Sequence, residues 1–117
     1  MQTAIKKIVE QNPLTVATIT PNGNPNVIGV AYVKVVEKDM LLISDVYMHQ
    51  TIEDIQNNPR VALVVWNKNL TGYKFIGTAK YFNKGIWLQK VKSIPENKDL
   101  PVKGAILVTV EKIIPSA

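Results

Sequence analysis

The chain has no cysteine and a single histidine among its 117 residues. The first absence excludes disulfides, iron–sulfur clusters and thiol catalysis. Together they leave no ligand set for a structural zinc ion. No apolar run approaches the roughly 20 residues that cross a bilayer as a helix. The opening stretch, MQTAIKKIVEQ, lacks the apolar core of a signal peptide. A cytoplasmic location, with no membrane association, is therefore the expectation. There is no GxGxxG pattern and no P-loop. The acids are scattered, with no pair spaced for general acid–base work and no Ser–His–Asp arrangement.

What is present is ordinary globular material. Apolar residues make up 46% and charged residues 20%, which suits one domain over residues 1–117. A chain of this size buries roughly two-thirds of its unfolded surface, enough for one core. The net charge is +5. Seven lysines (Lys74, Lys80, Lys84, Lys90, Lys92, Lys98, Lys103) face only Glu96 and Asp99 between residues 74 and 103, so that quarter of the chain carries the whole excess. Such a region attracts nucleic acid, a phosphate-bearing cofactor or an acidic partner. A solvated lysine-rich surface accounts for it equally well.

The pattern predicts three short helices and six strands. Ala4, Ile5, Ile8 and Val9 form one stripe of a helix over Thr3 to Gln11. Leu14 to Thr20 alternates and is β-branched, so it reads as a strand. Asn22-Gly23 is a strong hairpin signal. Asn26 to Val36 then reads as one long strand, apolar on nearly every position and covered on both faces, with Gly29 marking a bulge or close approach. Leu41 to Ser44, Arg60 to Trp66, Gly72 to Phe82 and Lys103 to Ile113 are further strands. A helix spans Lys84 to Ile94. The short links predict antiparallel hairpins, and so many strands in a small domain suggest a closed or nearly closed barrel.

The stretch LLISDVYMHQTIEDIQNNPRVALVVW (41–66) organises the rest. A strand ends at Ser44, a polar turn from Asp45 to Gln50 follows, and Met48, Ile52 and Ile55 mark one face of a helix that Asn57-Asn58-Pro59 stops. A helix start at the end of a strand can hold an anion through unpaired backbone N–H groups. Locally, Thr51-x-x-Asp54 reads better as a capping box. His49 reads as a structural residue. The aromatics read mostly as core, although lysines beside Tyr73, Phe75, Tyr81 and Phe82 also suit an oligonucleotide-binding barrel.

In order, LTVATITPNGNPNVIGVAYVKV (14–35), LLISDVYMHQTIEDIQNNPRVALVVW (41–66), YKFIGTAKYF (73–82) and KGAILVTVEKI (103–113) resemble the pyridoxamine 5′-phosphate oxidase-like FMN-binding split-barrel superfamily, most closely its small FMN-binding proteins. The resemblance implies a mainly β fold, a six-stranded antiparallel split β-barrel with short helices. It implies a homodimer with FMN in two interface clefts and an oxidoreductase or electron-transfer role. The flavin does the chemistry, so no catalytic side chain is named. The implied FMN-binding residues are Val27, Ile28, Gly29, Val30, Ser44, Asp45, Met48, Gln50 and Thr51. Relatives place Lys at the position of Gln50, next to the phosphate-binding Thr. Gln donates a hydrogen bond but brings no charge, a loss on the order of 1 kcal/mol or more. That loss keeps open the same fold with haem or a deazaflavin. True pyridoxamine-phosphate oxidases carry a longer chain and a C-terminal arginine motif. The only arginine here is Arg60, in NPRVAL, so vitamin B6 oxidation is not expected, and the substrate and redox partner stay unassigned.

Overall fold

The structure is a computed structural model and describes residues 1–116. Helix α1 (Thr3–Gln11) leads into strand β1 (Leu14–Ile19), which turns through Asn22-Gly23 into β2 (Pro25–Val30). Strand β3 (Lys34–Val36) and β4 (Met40–Asp45) follow, then α2 (Gln50–Asn57) and β5 (Arg60–Trp66). Strand β6 (Gly72–Phe82), α3 (Ile86–Lys92) and β7 (Gly104–Pro115) complete the order.

All pairings are antiparallel, in one sheet of order β2-β1-β5-β6-β7-β4-β3. The two end strands, β2 and β3, are joined by three residues, Ala31, Tyr32 and Val33. Three residues reach at most about 13 Å, counting both end peptides. A flat sheet with six gaps of about 4.8 Å would hold those edges roughly 29 Å apart. The sheet must therefore curl until its edges meet, which makes it a barrel split between β2 and β3.

There are seven strands rather than six, because the predicted strand 26–36 is broken. Tyr32 sits at φ 55°, in the left-handed region. That residue swings the chain away from β1 and across to β4. The same break corrects the expectation that both faces of this stretch are covered. Strand β2 pairs with β1 alone, and Val27 is 65% exposed.

Alternation along each strand builds two apolar layers. Leu14, Val16, Leu63, Val65, Phe75, Leu41, Ile43, Ile106 and Val108 point into the barrel and form the main core, closed by Ile5 and Val9 of α1 and Ile55 of α2. Leu42 and Ala105 point the other way and pack beneath Val91 and Ile94, together with Val102. The two layers decide where β4 sends its last residues. Ser44 shares the face of Leu42, under α3. Asp45 shares the face of Ile43 and points inward, fully buried.

Candidate functional site

A cleft of about 420 Å³ opens beside the barrel seam, within the range of small-molecule sites. Its walls are Ile28 to Tyr32 at the end of β2, Ser44 and Val46 to Thr51 running from β4 into α2, and Asn97 and Leu100 from the loop before β7. Seven of the nine residues singled out from the sequence line it: Ile28, Gly29, Val30, Ser44, Met48, Gln50 and Thr51. Val27 and Asp45 do not. Val27 shares the outer face with Gly29 but stands two residues farther from the cleft, while Asp45, opposite in parity to Ser44, is sent into the core.

Asp45 instead fixes the wall of the cleft from behind. Its Oδ1 accepts the Met48 N–H at 2.9 Å, and its Oδ2 accepts the Tyr81 hydroxyl at 2.8 Å. Burial, then the hydrogen bond to Asp45, pushes the Tyr81 hydroxyl up to about 12. Gly104 makes room for this pair, since a Cβ there would run into the Tyr81 ring. Lys103 Nζ donates to the Met48 carbonyl at 2.8 Å and lies 4.0 Å from Asp45 Oδ2. The turn from Asp45 to Met48 is thus held at both its N–H and its C=O.

The start of α2 is not a capping box. Thr51 lies inside the helix, and His49 takes the N-cap position without a side-chain cap bond. The Thr51 and Asp54 side chains are used across the fold. Asp54, fully buried, accepts Thr18 Oγ1 at 2.6 Å and Gln50 Nε2 at 2.6 Å. Asn26 Nδ2 donates to Thr18 Oγ1 at 3.1 Å and to Thr51 Oγ1 at 3.2 Å. Two consequences follow. Because Thr51 Oγ1 already accepts, its own hydrogen is free to donate. Among the described residues, the backbone N–H groups of Gln50, Thr51 and Ile52 have no acceptor, and the first bonded amide of the helix is Glu53, to His49 O. Gln50 and Thr51 line the cleft, so two of these amides and the Thr51 hydroxyl belong to residues at its wall, at the positive end of α2.

The cationic part of the expectation is not met inside the cleft. Gln50 is turned to Asp54, and the residues lining the cleft include no lysine or arginine. Lys74 sits far along β6, opposite Val64 and Ile114. Lys103, on the Met48 carbonyl, is the cation attached to the cleft wall. Of the other lysines, Lys80 lies over Phe82 and Lys90 over Trp87.

Asn97 went unread in the sequence. It stands in a polar loop with no local signal, and only the return of that loop over β4 brings it to the cleft. Beside the cleft, the outer wall of β2, β1 and β5 carries Val27 and Gly29, then Thr15, Ala17 and Ile19, then Ala62, Val64 and Trp66. None of the eight is charged, and Val27, Ile19 and Trp66 are exposed; Arg60, next on the same face of β5, bounds the patch and pairs with Glu111.

The family model for pyridoxamine 5′-phosphate oxidase matches residues 1–116. The chain belongs to the pyridoxamine 5′-phosphate oxidase family. A protein of Methanocaldococcus jannaschii is 33% identical over 111 residues, 92% of this chain and 74% of its own. Among solved structures, HupZ of Group A Streptococcus superposes with TM-score 0.90 at 21% identity, over 98% of this chain and 93% of that one. An FMN-binding protein of Syntrophomonas wolfei superposes with TM-score 0.75 at 14% identity, over 97% and 81%. At these identities the superpositions show the fold. The pyridoxamine 5′-phosphate oxidase family fold is the mainly β split barrel expected from the sequence, with seven strands. No helix among the described residues is long and apolar enough to cross a membrane.

Proposed function

We propose that this member of the family binds FMN in the cleft and acts in flavin-dependent oxidation–reduction or electron transfer. The observation that carries the reading is the start of α2, where Gln50 and Thr51, with unpaired amides and the Thr51 hydroxyl, line a cleft of about 420 Å³. This donor set suits a phosphate, which needs many hydrogen bonds and the positive end of a helix. The residues present therefore fit the phosphate end of FMN. Gln50, Thr51 and the amides around them would hold that end, while Ile28 to Val30, Ser44 and Met48 would line the ring. Bound flavin supplies the redox chemistry. The protein's part is to bind, to orient and to limit water at the ring.

A second copy of the chain is part of the same proposal. The outer-wall patch around Val27, Ile19 and Trp66, uncharged as far as Arg60 at its edge, suits a twofold contact, and it adjoins the cleft at Gly29. The test is direct. Purified protein should show a flavin spectrum, or acquire one on titration with FMN at micromolar concentration. A colourless protein that takes up no FMN removes the reading.

A further inference from the structure

Asn97 is 4% exposed, yet its side chain is only half used. Its Nδ2 donates to the Val91 carbonyl at 2.8 Å and to Ser44 Oγ at 2.7 Å. A carbonyl can only accept, so the Val91 contact fixes which end of the amide is nitrogen. The other end, Oδ1, has no donor among the described residues, although no sealed side-chain polar atom is left unpaired there. As Asn97 lines the cleft, Oδ1 opens into it. Ser44 is the complement. Its Oγ accepts from Asn97, which leaves its O–H to donate, and it lines the same cleft.

We infer that Ser44 and Asn97 form a recognition pair for an imide edge, a ring N–H beside a C=O. Asn97 Oδ1 accepts the N–H and the Ser44 hydroxyl donates to the carbonyl. The pair is rigid before any ligand arrives. The Asn97 backbone N–H donates to Ile94 O at 2.9 Å, its carbonyl accepts Leu100 N–H at 3.0 Å, and its amide is anchored on Val91. The inference rests on the flavin reading and deepens it. The pyrimidinedione edge of a flavin carries an N–H between two carbonyls, so it is the ring edge that meets Ser44 and Asn97. Haem carries no such edge. A 5-deazaflavin does, and shares the chemistry.

The experiment titrates the protein with FMN, N3-methyl-FMN and the deazaflavin F420. Wild-type protein should prefer FMN to N3-methyl-FMN by about tenfold or more, because the methyl leaves Asn97 Oδ1 buried without a donor. Asn97→Ala should bind the two FMN forms within about twofold of each other. Ser44→Ala keeps the Val91 anchor. It should weaken FMN about tenfold while the discrimination against the N3-methyl form persists. Melting curves of both variants report their folding, and Ser44→Ala carries the test if Asn97→Ala does not fold. Equal binding of FMN and N3-methyl-FMN by wild-type protein overturns the pair and leaves the flavin reading standing. Binding of F420 in place of FMN, weakened in the same way by either substitution, supports the pair and assigns the edge to a deazaflavin. Uptake of none of the three overturns both.

Discussion

Val27 offers the sharpest separation between the chain alone and the chain in a pair. In the single chain it is 65% exposed on β2, opposite Ala17 of β1, whose other neighbour is Ala62 of β5. A lysine at this position meets only solvent in one copy, so Val27→Lys should change monomer stability by no more than about 0.5 kcal/mol. Within a twofold contact the same lysine is buried against small, uncharged neighbours. An unpaired buried charge costs about 3–5 kcal/mol, and symmetry places two of them in each dimer. The dimer dissociation constant should therefore rise by at least about 100-fold. Sedimentation equilibrium over a range of concentrations reads this directly, and FMN titration under the same conditions should show affinity falling with the dimer. A Val27→Lys protein that dimerises within about threefold of wild type refutes the placement of the contact on this wall. A wild-type chain that stays monomeric at high concentration refutes the contact altogether.

Three further outcomes are expected. Tyr81→Phe leaves Asp45 Oδ2 without its hydroxyl donor and should cost about 1.5–3 kcal/mol, read from denaturant melts. The Tyr81 hydroxyl ionises near 12 in the fold, above its ordinary value near 10. Its stabilisation is therefore complete below about pH 10 and lost as pH rises through about 12, so the gap between wild type and Tyr81→Phe should close over that interval. Thr51→Val keeps the shape, removes the free hydroxyl proton and should weaken FMN about tenfold by fluorescence titration, on the scale of one hydrogen bond to a charged group. Gln50→Lys can still reach Asp54 and adds a charge at the start of α2. It should tighten FMN by about tenfold, and an unchanged affinity would place the phosphate elsewhere.

Much of the fold was legible because its signals are local. Strands β5 and β6 fall where β-branched runs end in turns, and Asn22-Gly23 marks the first hairpin. The misreadings share one cause, which is that the deciding partner is remote. The one irregularity marked in the run from Asn26 to Val36 is Gly29, where the strand continues, whereas Tyr32, where it breaks, carries no sequence mark of a positive φ. The run's apolar residues looked buried because their exposure depends on which strand lies next to β2. Thr51-x-x-Asp54 has the letters of a capping box, but Asn26 and Thr18, from 25 and 36 residues away, claim those side chains. Of the β2 residues, Ile28, Gly29 and Val30 line the cleft at the strand end, and Val27 stands just beyond it. Asp45 was placed by the parity of β4, not by its neighbours in the turn. Asn97 depends on a loop closing over a strand more than fifty residues earlier.

The three-residue bridge at Ala31, Tyr32 and Val33 has a mechanical consequence. It is the seam of the barrel, and β3 holds its side of it with only three residue pairs, Lys34–Leu42, Val35–Leu41 and Val36–Met40. Amide protons of β3 should exchange with deuterium sooner than those of β6, which is zipped on both sides. Ala31 and Tyr32 also floor the cleft. A molecule bound on that floor would brace the seam from within and should slow exchange along β3.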